Sequence, residues 1–315
     1  MDFPISGAHL NPILLAAVGF VVGVFGGFFG VGGSFLAGPA LFLMGLPFNF
    51  VVGTDLAHIV GKSLVAAREH VVRGNVAIKL AAVLTVGTVI GSEVGAQAVE
   101  YLEKIGLVNQ VVGVTFIGVL VLISAFMAWE SWNTMKRRSD EELKSAPGSS
   151  AVSADVRRRS APPMVRNLHD KVQSFKLPPM ISLPRSDIES ISLWIVVAVG
   201  LLAGFMAGFI GGGAGFLRMP LLVYVIGVPT KIAVGTDLVE VAVSAGYGTL
   251  SHALKGNVDI MIALVMHTGA AIGAQIGVRL TDYFAGPKIR LAFSPLPLFG
   301  AALVVYQLLT GQKMK

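Results

Sequence analysis

Eight long apolar segments divide this sequence, and most of them are long enough to cross the hydrocarbon core of a bilayer, which needs about 20 helical residues. The composition agrees, because 54% of the residues are hydrophobic, only 13% are charged and the mean hydropathy is +0.75. We therefore predict an all-α polytopic membrane protein. The segments lie at about 10–30, 49–72, 75–100, 107–132, 191–210, 230–252, 258–283 and 289–310.

The basic residues concentrate between residues 136 and 185, beside a membrane helix. The net charge of +6 could indicate nucleic-acid binding. Because the basic residues lie beside a membrane helix, we instead interpret them as cytoplasmic charge at the inner (plasma) membrane. Cysteine is absent, which excludes disulfides, thiolate metal sites, iron–sulfur clusters and cysteine nucleophiles. The amino-terminal residues lack a basic n-region, so we expect the first apolar segment to stay in the mature protein.

Residues 133–189 form the predicted basic cytoplasmic linker, which separates a first transmembrane repeat, 1–132, from a second, 190–315. The proline, serine and charge content of the linker is typical of a solvated segment with a disordered middle. The apolar residues of "SFKLPPMISLP", 174–184, form a surface that we expect to dock on the membrane face.

The two halves of the chain repeat each other. In the first half "GFFGVGGSFLAGP" corresponds to "GFIGGGAGFLRMP" in the second, "VVGTDL" corresponds to "AVGTDL", and "RGNV" corresponds to "KGNV". Glycines four residues apart form rows at 19–27, 87–95, 200–208 and 269–277. Because lipid offers no hydrophobic drive for helix association, these rows predict helices packed backbone to backbone.

Charge asymmetry predicts how the repeats are oriented. If the linker is cytoplasmic, segment 107–132 runs inward, so Glu100 and Glu103 lie outside, while the connection with Arg68 and Arg73 lies inside. Each half then holds an odd number of crossings. We therefore predict inverted repeats with both termini facing outward.

Each glycine cluster precedes an apolar segment, 34–46 or 216–228, that is too short to cross a bilayer unaided. Inverted repeats with broken or re-entrant short helices are an established architecture of secondary transporters, whose sites lie near the midplane. Bare N–H groups at the start of such helices bind anions. The alternative is that the glycines only permit close packing. The predicted substrate-binding residues in the two clusters are Gly30, Gly32, Gly33, Ser34, Gly211, Gly212, Gly213 and Gly215.

These paired motifs resemble those of the TauE/SafE sulfite exporter family of membrane transporters. The resemblance rests on "GVGGSFLAGP", "GGGAGFLRMP", the two "VGTDL" elements and the two "GNV" turns, and it covers nearly the whole membrane portion without the linker. It implies export or import of a small sulfur-containing anion, such as sulfite, a sulfonate or thiosulfate, with no bound cofactor. Members often have Ser or Asn after the "GT" pair, whereas this chain has Asp55 and Asp237.

A polar stripe follows each "GT" pair, and we predict that each pair opens a long helix. Asp55, His58 and Lys62 are spaced by three and four residues, so they share one helix face. Ionisable groups inside a membrane segment mark a transport pathway by default. We predict proton coupling through Asp237 and Glu240, the counterparts of Asp55 and His58.

Arg218, in the second short segment, is a candidate charge partner of the substrate or of Asp237, since an unpaired guanidinium in a membrane is costly. The alternative role for these charges is an ion pair, Asp55 with Lys62 or Asp237 with Arg218, that only locks helices together. The substrate-binding residues predicted outside the glycine clusters are Thr54, Arg218 and Thr236. The candidate proton-coupling or ion-pair residues are Asp55, His58, Lys62, Asp237 and Glu240.

The sequence therefore predicts a secondary transporter that exports sulfite or an organosulfonate by alternating access, with the anion and the lipid bilayer as its partners. Import of a sulfur oxyanion such as thiosulfate is the alternative, and a membrane receptor or scaffold is a third hypothesis. An enzyme is not predicted, because no GxSxG, HExxH or P-loop motif is present. We predict no metal site and no nucleic-acid partner.

Overall fold

The computed structural model describes residues 1–105, 107–144, 163–186, 188–210, 215–284, 286–299 and 301–302. Five of its helices are long and apolar enough to cross a membrane, so the predicted all-α polytopic class is confirmed. The helices are α1 (Pro12–Phe29), α2 (Ser34–Leu43), α3 (Phe48–Val72), α4 (Ile78–Lys104), α5 (Val108–Lys144), α6 (Pro163–Ser174), α7 (Leu193–Ile210), α8 (Gly215–Pro220), α9 (Thr230–Leu254), α10 (Ile260–Tyr283) and α11 (Gly286–Phe293). Two antiparallel hairpins pair β1 (Asp2–Phe3) with β2 (Ala8–His9) and β3 (Met180–Leu183) with β4 (Ile188–Ser192).

Two of the long helices begin five residues before their "GT" pairs. Helix α3 starts directly after Pro47 and α9 directly after Pro229. A proline suits a helix start, where its missing N–H would have no helical partner. The prediction that the "GT" pairs open these helices is therefore wrong, and Asp55 and Asp237 lie inside continuous helices.

The glycine rows form the two most extensive helix interfaces, α1 with α10 and α4 with α7. A Cβ atom at Gly23 would lie 2.8 Å from the Ala270 Cα, and one at Gly91 would lie 2.8 Å from the Phe205 nitrogen. Both distances are far inside van der Waals contact, so the facing backbones touch where side chains would otherwise separate them. The prediction of close backbone packing along these rows is confirmed.

We expect Gly91→Val to destabilise the protein strongly, because the Leu201 carbonyl occupies the position of the new side chain. Overpacking typically costs about 1–3 kcal/mol, and a backbone obstacle cannot rotate away, so the upper end of that range is expected. Gly118→Val is the matched control, since Gly118 is exposed on α5 with no atom within 4 Å of its Cβ position. The measurement is the thermal midpoint and folded yield in detergent, and equal values for the two variants would contradict the prediction.

The two repeats interlock through equivalent contacts. In the sequence repeat, α1 corresponds to α7, α3 to α9 and α4 to α10. Helix α1 packs on α10 and α7 packs on α4, so the first long helix of each repeat lies against the other repeat. Both pairs are parallel, because the glycine contacts advance in the same direction along both helices. The counterparts α3 and α9 run antiparallel, since Leu56 meets Gly248 while Ala66 clusters with Leu238.

The first chain break reverses the chain beside α1. Gly30 and Gly33 frame the break with φ values of 79° and 83°, in the left-handed region that glycine favours. A Cβ at Gly33 would lie 2.7 Å from Val22 Cγ1, so the chain has already turned back along α1 before α2 begins. Beyond α2, Leu46 packs in one cluster with Leu15 near the start of α1. From Gly30 to Leu46 the chain therefore runs back along α1 towards the start of that helix.

The short helical segment of the second repeat differs from α2. Helix α8 spans only six residues, and a π-helical turn, Leu221–Ile226, continues after Pro220. Proline has no backbone N–H to continue an α-helical ladder, which explains the change in helix type at this point. The turn ends at Gly227, with a φ of 91°. The glycine cluster that precedes α8, residues 211–214, lies outside the described residues.

The linker begins with helix and ends on the membrane bundle. Helix α5 continues through Lys144, past the boundary at residue 132 expected from the sequence, and the predicted disordered middle lies outside the described residues. Val165, Leu183 and Ile188 from the second part of the linker are buried in one cluster with Tyr224 of the π-helical turn. Within "SFKLPPMISLP", Leu183 thus docks on protein.

Candidate functional site

The first chain break meets the start of α8 inside the bundle. A Cβ at Gly215 would lie 3.0 Å from the Gly32 nitrogen and 3.0 Å from the Val31 Cα, so the start of α8 touches the segment between α1 and α2. Ile59 of α3 and Val241 of α9 flank this contact, 3.6 and 3.7 Å from the Cβ position of Gly32. We call the contact between Gly32 and Gly215 the crossing point. Residues from both repeats converge there.

The backbone donors predicted from the glycine clusters are not equivalent. The Gly30 N–H is not bare, because it donates to the Gly26 carbonyl at 2.9 Å at the end of α1. Gly33 precedes α2, whose start, at Ser34, receives no side-chain cap. The Leu36 and Ala37 N–H groups donate to the Gly33 carbonyl, which leaves the Ser34 and Phe35 N–H groups at the start of α2 without a helical partner. The remaining predicted donors, Gly211, Gly212 and Gly213, lie outside the described residues.

The two threonines of the "GT" pairs lie at opposite ends of the bundle. Thr54 Oγ1 accepts a hydrogen bond from the Asp259 N–H at 2.9 Å, and Thr236 Oγ1 accepts one from the Ala77 N–H at 3.0 Å. Each hydroxyl oxygen therefore holds the start of a long helix in the other repeat. The structure does not bring Thr54 and Thr236 together, and both hydroxyl oxygens have a role in joining the repeats.

Arg218 lies in a buried cluster with two acids of α9. Its Nη1 donates to Asp237 Oδ1 at 2.9 Å and is in ion-pair contact with Glu240 Oε2. All three residues are at most 1% exposed. Of the two ion pairs considered from the sequence, the one between Asp237 and Arg218 is formed, and Glu240 shares its guanidinium. One guanidinium thus faces two carboxyl groups.

The polar stripe of α3 does not form the other ion pair. Asp55 Oδ1 lies 3.7 Å from His58 Nδ1, which is too far for a hydrogen bond. Lys62 Nζ donates to the Val31 carbonyl at 3.3 Å, and no Asp55 oxygen lies within the 4.0 Å limit of an ion pair with it. Lys62 therefore reaches the first chain break beside the crossing point, whereas Asp55 lies two turns away along the helix.

A second buried ion pair joins the two halves of the chain. Arg290 of α11 donates from Nε and Nη2 to the two oxygens of Glu130 on α5, at 3.1 and 2.9 Å. The Tyr224 hydroxyl donates to Glu130 Oε2 at 2.9 Å, and Arg290 Nη1 donates to Thr230 Oγ1 at 2.8 Å. This paired-oxygen geometry is the strong form of an arginine–carboxylate contact. It fixes the π-helical turn and the start of α9 against α5.

Glu130 and Arg290 were not predicted from the sequence as functional or paired residues. A signal was present, because each is the one charged residue of its apolar segment, 107–132 or 289–310. A lone charge in a membrane-crossing segment requires a partner. The sequence does not say, however, that these two segments are neighbours.

The part of the chain that the structure describes holds no group of three or more His, Asp or Glu side chains placed to bind a metal ion. The polar groups near the crossing point are instead backbone N–H groups, one lysine and the cluster of Arg218 with its two acids. Repeats with broken helices that meet inside a membrane bundle are typical of secondary transporters. The fold and the site therefore define a membrane transport protein.

The chain matches the family described as Sulfite exporter TauE/SafE over residues 15–304. It belongs to this family of membrane transporters, as the resemblance of its motifs indicated. No solved protein structure matches the chain.

Similar proteins carry the names of membrane transporters and not of enzymes. A "probable membrane transporter protein" of Xylella fastidiosa (strain Temecula1) is 39% identical over 110 residues, which are 33% of this chain and 41% of that protein. YunE and YjnA of Bacillus subtilis (strain 168), named in the same way, are 23% and 24% identical over 85% and 91% of this chain. The matches cover 88% and 96% of their own lengths. The chain thus spans less than half of the Xylella protein but most of the two Bacillus proteins.

Proposed function

We propose that the protein is a secondary transporter that exports a small sulfur-containing anion, sulfite or an organosulfonate, by alternating access. The observation that carries this proposal is the crossing point, where the broken segments of both repeats touch. Non-helical backbone is tolerated at membrane depth only where it is buried in protein or lines a cavity, and unpaired N–H groups at a helix start favour an anion. The family description, sulfite exporter, supports the choice of anion class.

We infer that the repeats have inverted topology in the inner membrane, with the linker in the cytoplasm. The antiparallel run of α3 and α9 supports the inversion. The linker contacts the turn between α3 and α4, where Arg185 Nη1 donates to the Val76 carbonyl at 2.8 Å. Arg68, Arg73 and Lys79 flank the same turn, and the excess of basic residues favours the cytoplasmic side. The amino terminus then faces outward.

We further propose that transport is coupled to protons through Asp237 and Glu240. Arg218 offers one positive charge to two carboxyl groups, so one acid can take up a proton without leaving the guanidinium unpaired. Asp237 Oδ2 accepts no hydrogen bond from the described residues, and Glu240 Oε2 is in ion-pair contact with Arg218. Buried acids of this kind serve as proton carriers in many pumps and transporters.

The test is flux in proteoliposomes that contain the purified full-length protein. Radiolabelled sulfite, thiosulfate and an organosulfonate are measured separately in uptake and efflux, with a proton gradient of each sign. Movement of a sulfur anion against its own gradient, driven by protons, supports the proposal, and the sign of the coupling separates export from import. If the wild-type protein carries none of these anions, the proposed substrate class is wrong.

We expect Gly32→Val to reduce this flux by about tenfold or more while the protein still folds. The methyl groups of valine would fill the space between Gly32 and its neighbours Ile59 and Val241, so the two broken segments could no longer move past each other at the crossing point. Gly118→Val is again the matched control, because it adds the same side chain to an exposed position. Unchanged flux in Gly32→Val would show that the crossing point is not on the transport path.

A further inference from the structure

We propose that the Lys62 ammonium, and not the Arg218 guanidinium, is the positive charge that binds the transported anion. This inference rests on the proposed function, since it names the group that holds the substrate. It assigns different roles to the two buried cations near the crossing point. Lys62 belongs to the anion site, and Arg218 belongs to the acid cluster.

Arg218 is already neutralised by its neighbours. The Asp237 and Glu240 carboxyl groups both contact Nη1 of this side chain. An anion that approached the guanidinium would therefore meet two acidic groups at the same place. Repulsion between like charges at such short range, in a dry interior, opposes binding there.

No acidic group of the described residues lies within ion-pair distance of Lys62. This lysine is 1% exposed, and the one hydrogen bond that its ammonium makes to a described residue is the 3.3 Å contact with the Val31 carbonyl. A lysine ammonium carries three donors, and burying it without an opposite charge is costly. The acid nearest along its own helix is Asp55, two turns earlier and beyond ion-pair distance. His58, one turn earlier, is uncharged or positive and cannot neutralise it.

The Lys62 ammonium also lies next to the first chain break and the start of α2. A Cβ at Gly33 would lie 3.1 Å from Lys62 Nζ, so the charge sits beside the uncapped start of α2. A helix start carries a partial positive charge from its unpaired N–H groups. Two positive features thus converge on the first chain break next to Gly32, and a small anion between them would satisfy both.

The second repeat offers no equivalent cation. The counterpart of Lys62 is Ser244, whose hydroxyl donates to the Val241 carbonyl at 3.4 Å within its own helix. The anion site is therefore asymmetric, although the fold is a repeat. We expect one anion bound per chain.

The competing role for Lys62 is purely structural, as a side chain that holds the Val31 carbonyl. The two roles predict opposite effects on stability. Removing an unpaired buried charge stabilises a protein in the absence of the anion, whereas removing a structural hydrogen bond destabilises it. Lys62→Met keeps the length of the side chain and removes the charge, so the sign of its effect decides between the roles.

The experiment compares the wild type with Lys62→Met, Lys62→Arg and the control Lys79→Met, which removes an exposed lysine of α4. Equilibrium binding of radiolabelled sulfite to the full-length protein in detergent is measured with the thermal midpoint of each variant. We expect Lys62→Met to bind sulfite about 30-fold more weakly or worse, as lost charged hydrogen bonds predict, and to melt at or above the wild-type temperature without anion. Lys62→Arg should retain part of the affinity, and Lys79→Met should match the wild type.

Each outcome either supports or overturns the proposed role of Lys62 in anion binding. Unchanged sulfite affinity in Lys62→Met, or a lower thermal midpoint without anion, would overturn the role of Lys62 while leaving the transport proposal intact. If the wild type binds and carries no sulfur anion, the proposed function fails instead. The thermal midpoints then decide whether Lys62 is an unpaired charge or a structural contact.

Discussion

Replacing Arg218 with methionine is expected to leave little folded protein in the membrane. The substitution removes the one positive charge that contacts Asp237 and Glu240, so two buried carboxyl groups lose their partner. Breaking a buried ion pair from one side typically costs about 3–5 kcal/mol, a large fraction of the stability of most proteins. The measurement is the yield of monodisperse protein after extraction and its thermal midpoint.

The matched rescue is the triple variant Arg218→Met, Asp237→Asn, Glu240→Gln. It removes the acids together with the guanidinium, so no uncompensated charge stays buried, and we expect it to recover most of the folded yield. Proton movement should remain absent in the triple variant, because the acids proposed to carry the proton are gone. Good folding of the single variant Arg218→Met would show instead that the cluster is not a structural unit.

Replacing Glu240 with glutamine is expected to stop proton movement while anion flux continues down its own gradient. Glutamine keeps the shape of the side chain but cannot exchange a proton, and the hydrogen bond between Arg218 and Asp237 at 2.9 Å remains. The cluster then has equal numbers of positive and negative groups. We therefore expect the variant to fold at least as well as the wild type.

The measurement is sulfite flux in proteoliposomes that contain a lumenal pH dye. In the wild type, flux and acidification or alkalinisation should occur together, and in Glu240→Gln the dye signal should fall to the level of empty liposomes. Glu189→Gln, which changes an exposed acid of β4, is the control and should behave as the wild type. Wild-type flux that moves no protons at any pH would end the coupling proposal.

Features that repeat along one stretch of chain could be predicted from the amino-acid sequence alone. Apolar length predicted the membrane helices, and spacing by four predicted that the row with Gly91 is a packing surface, as the contact with Leu201 confirms. The duplicated motifs also located the starts of the short helices α2 and α8. These features are local, so a single segment carries the whole signal. The prediction that the "GT" pair opens α3 was wrong because Pro47 precedes the first turn of the helix.

The choice of helix surfaces that pack against each other could not be predicted from the sequence. Every glycine row has the same spacing, so the sequence could not say that α1 lies on α10 and α4 on α7. In lipid the choice depends on the fit of two helix surfaces, which is a property of the pair and not of either sequence alone. The pairing of Glu130 with Arg290 was missed for the same reason.

The buried charges show most clearly the difference between what helix spacing predicts and what the packing of helices determines. Two ion pairs were possible from the sequence, Asp55 with Lys62 on α3 and Asp237 of α9 with Arg218 of α8. The structure forms the second, because α8 places Arg218 against α9, and not the first, because Lys62 extends from α3 to the Val31 carbonyl. Periodicity defines which face of a helix a charge occupies. Distances between helices decide what it contacts, and they exist only once the chain has folded.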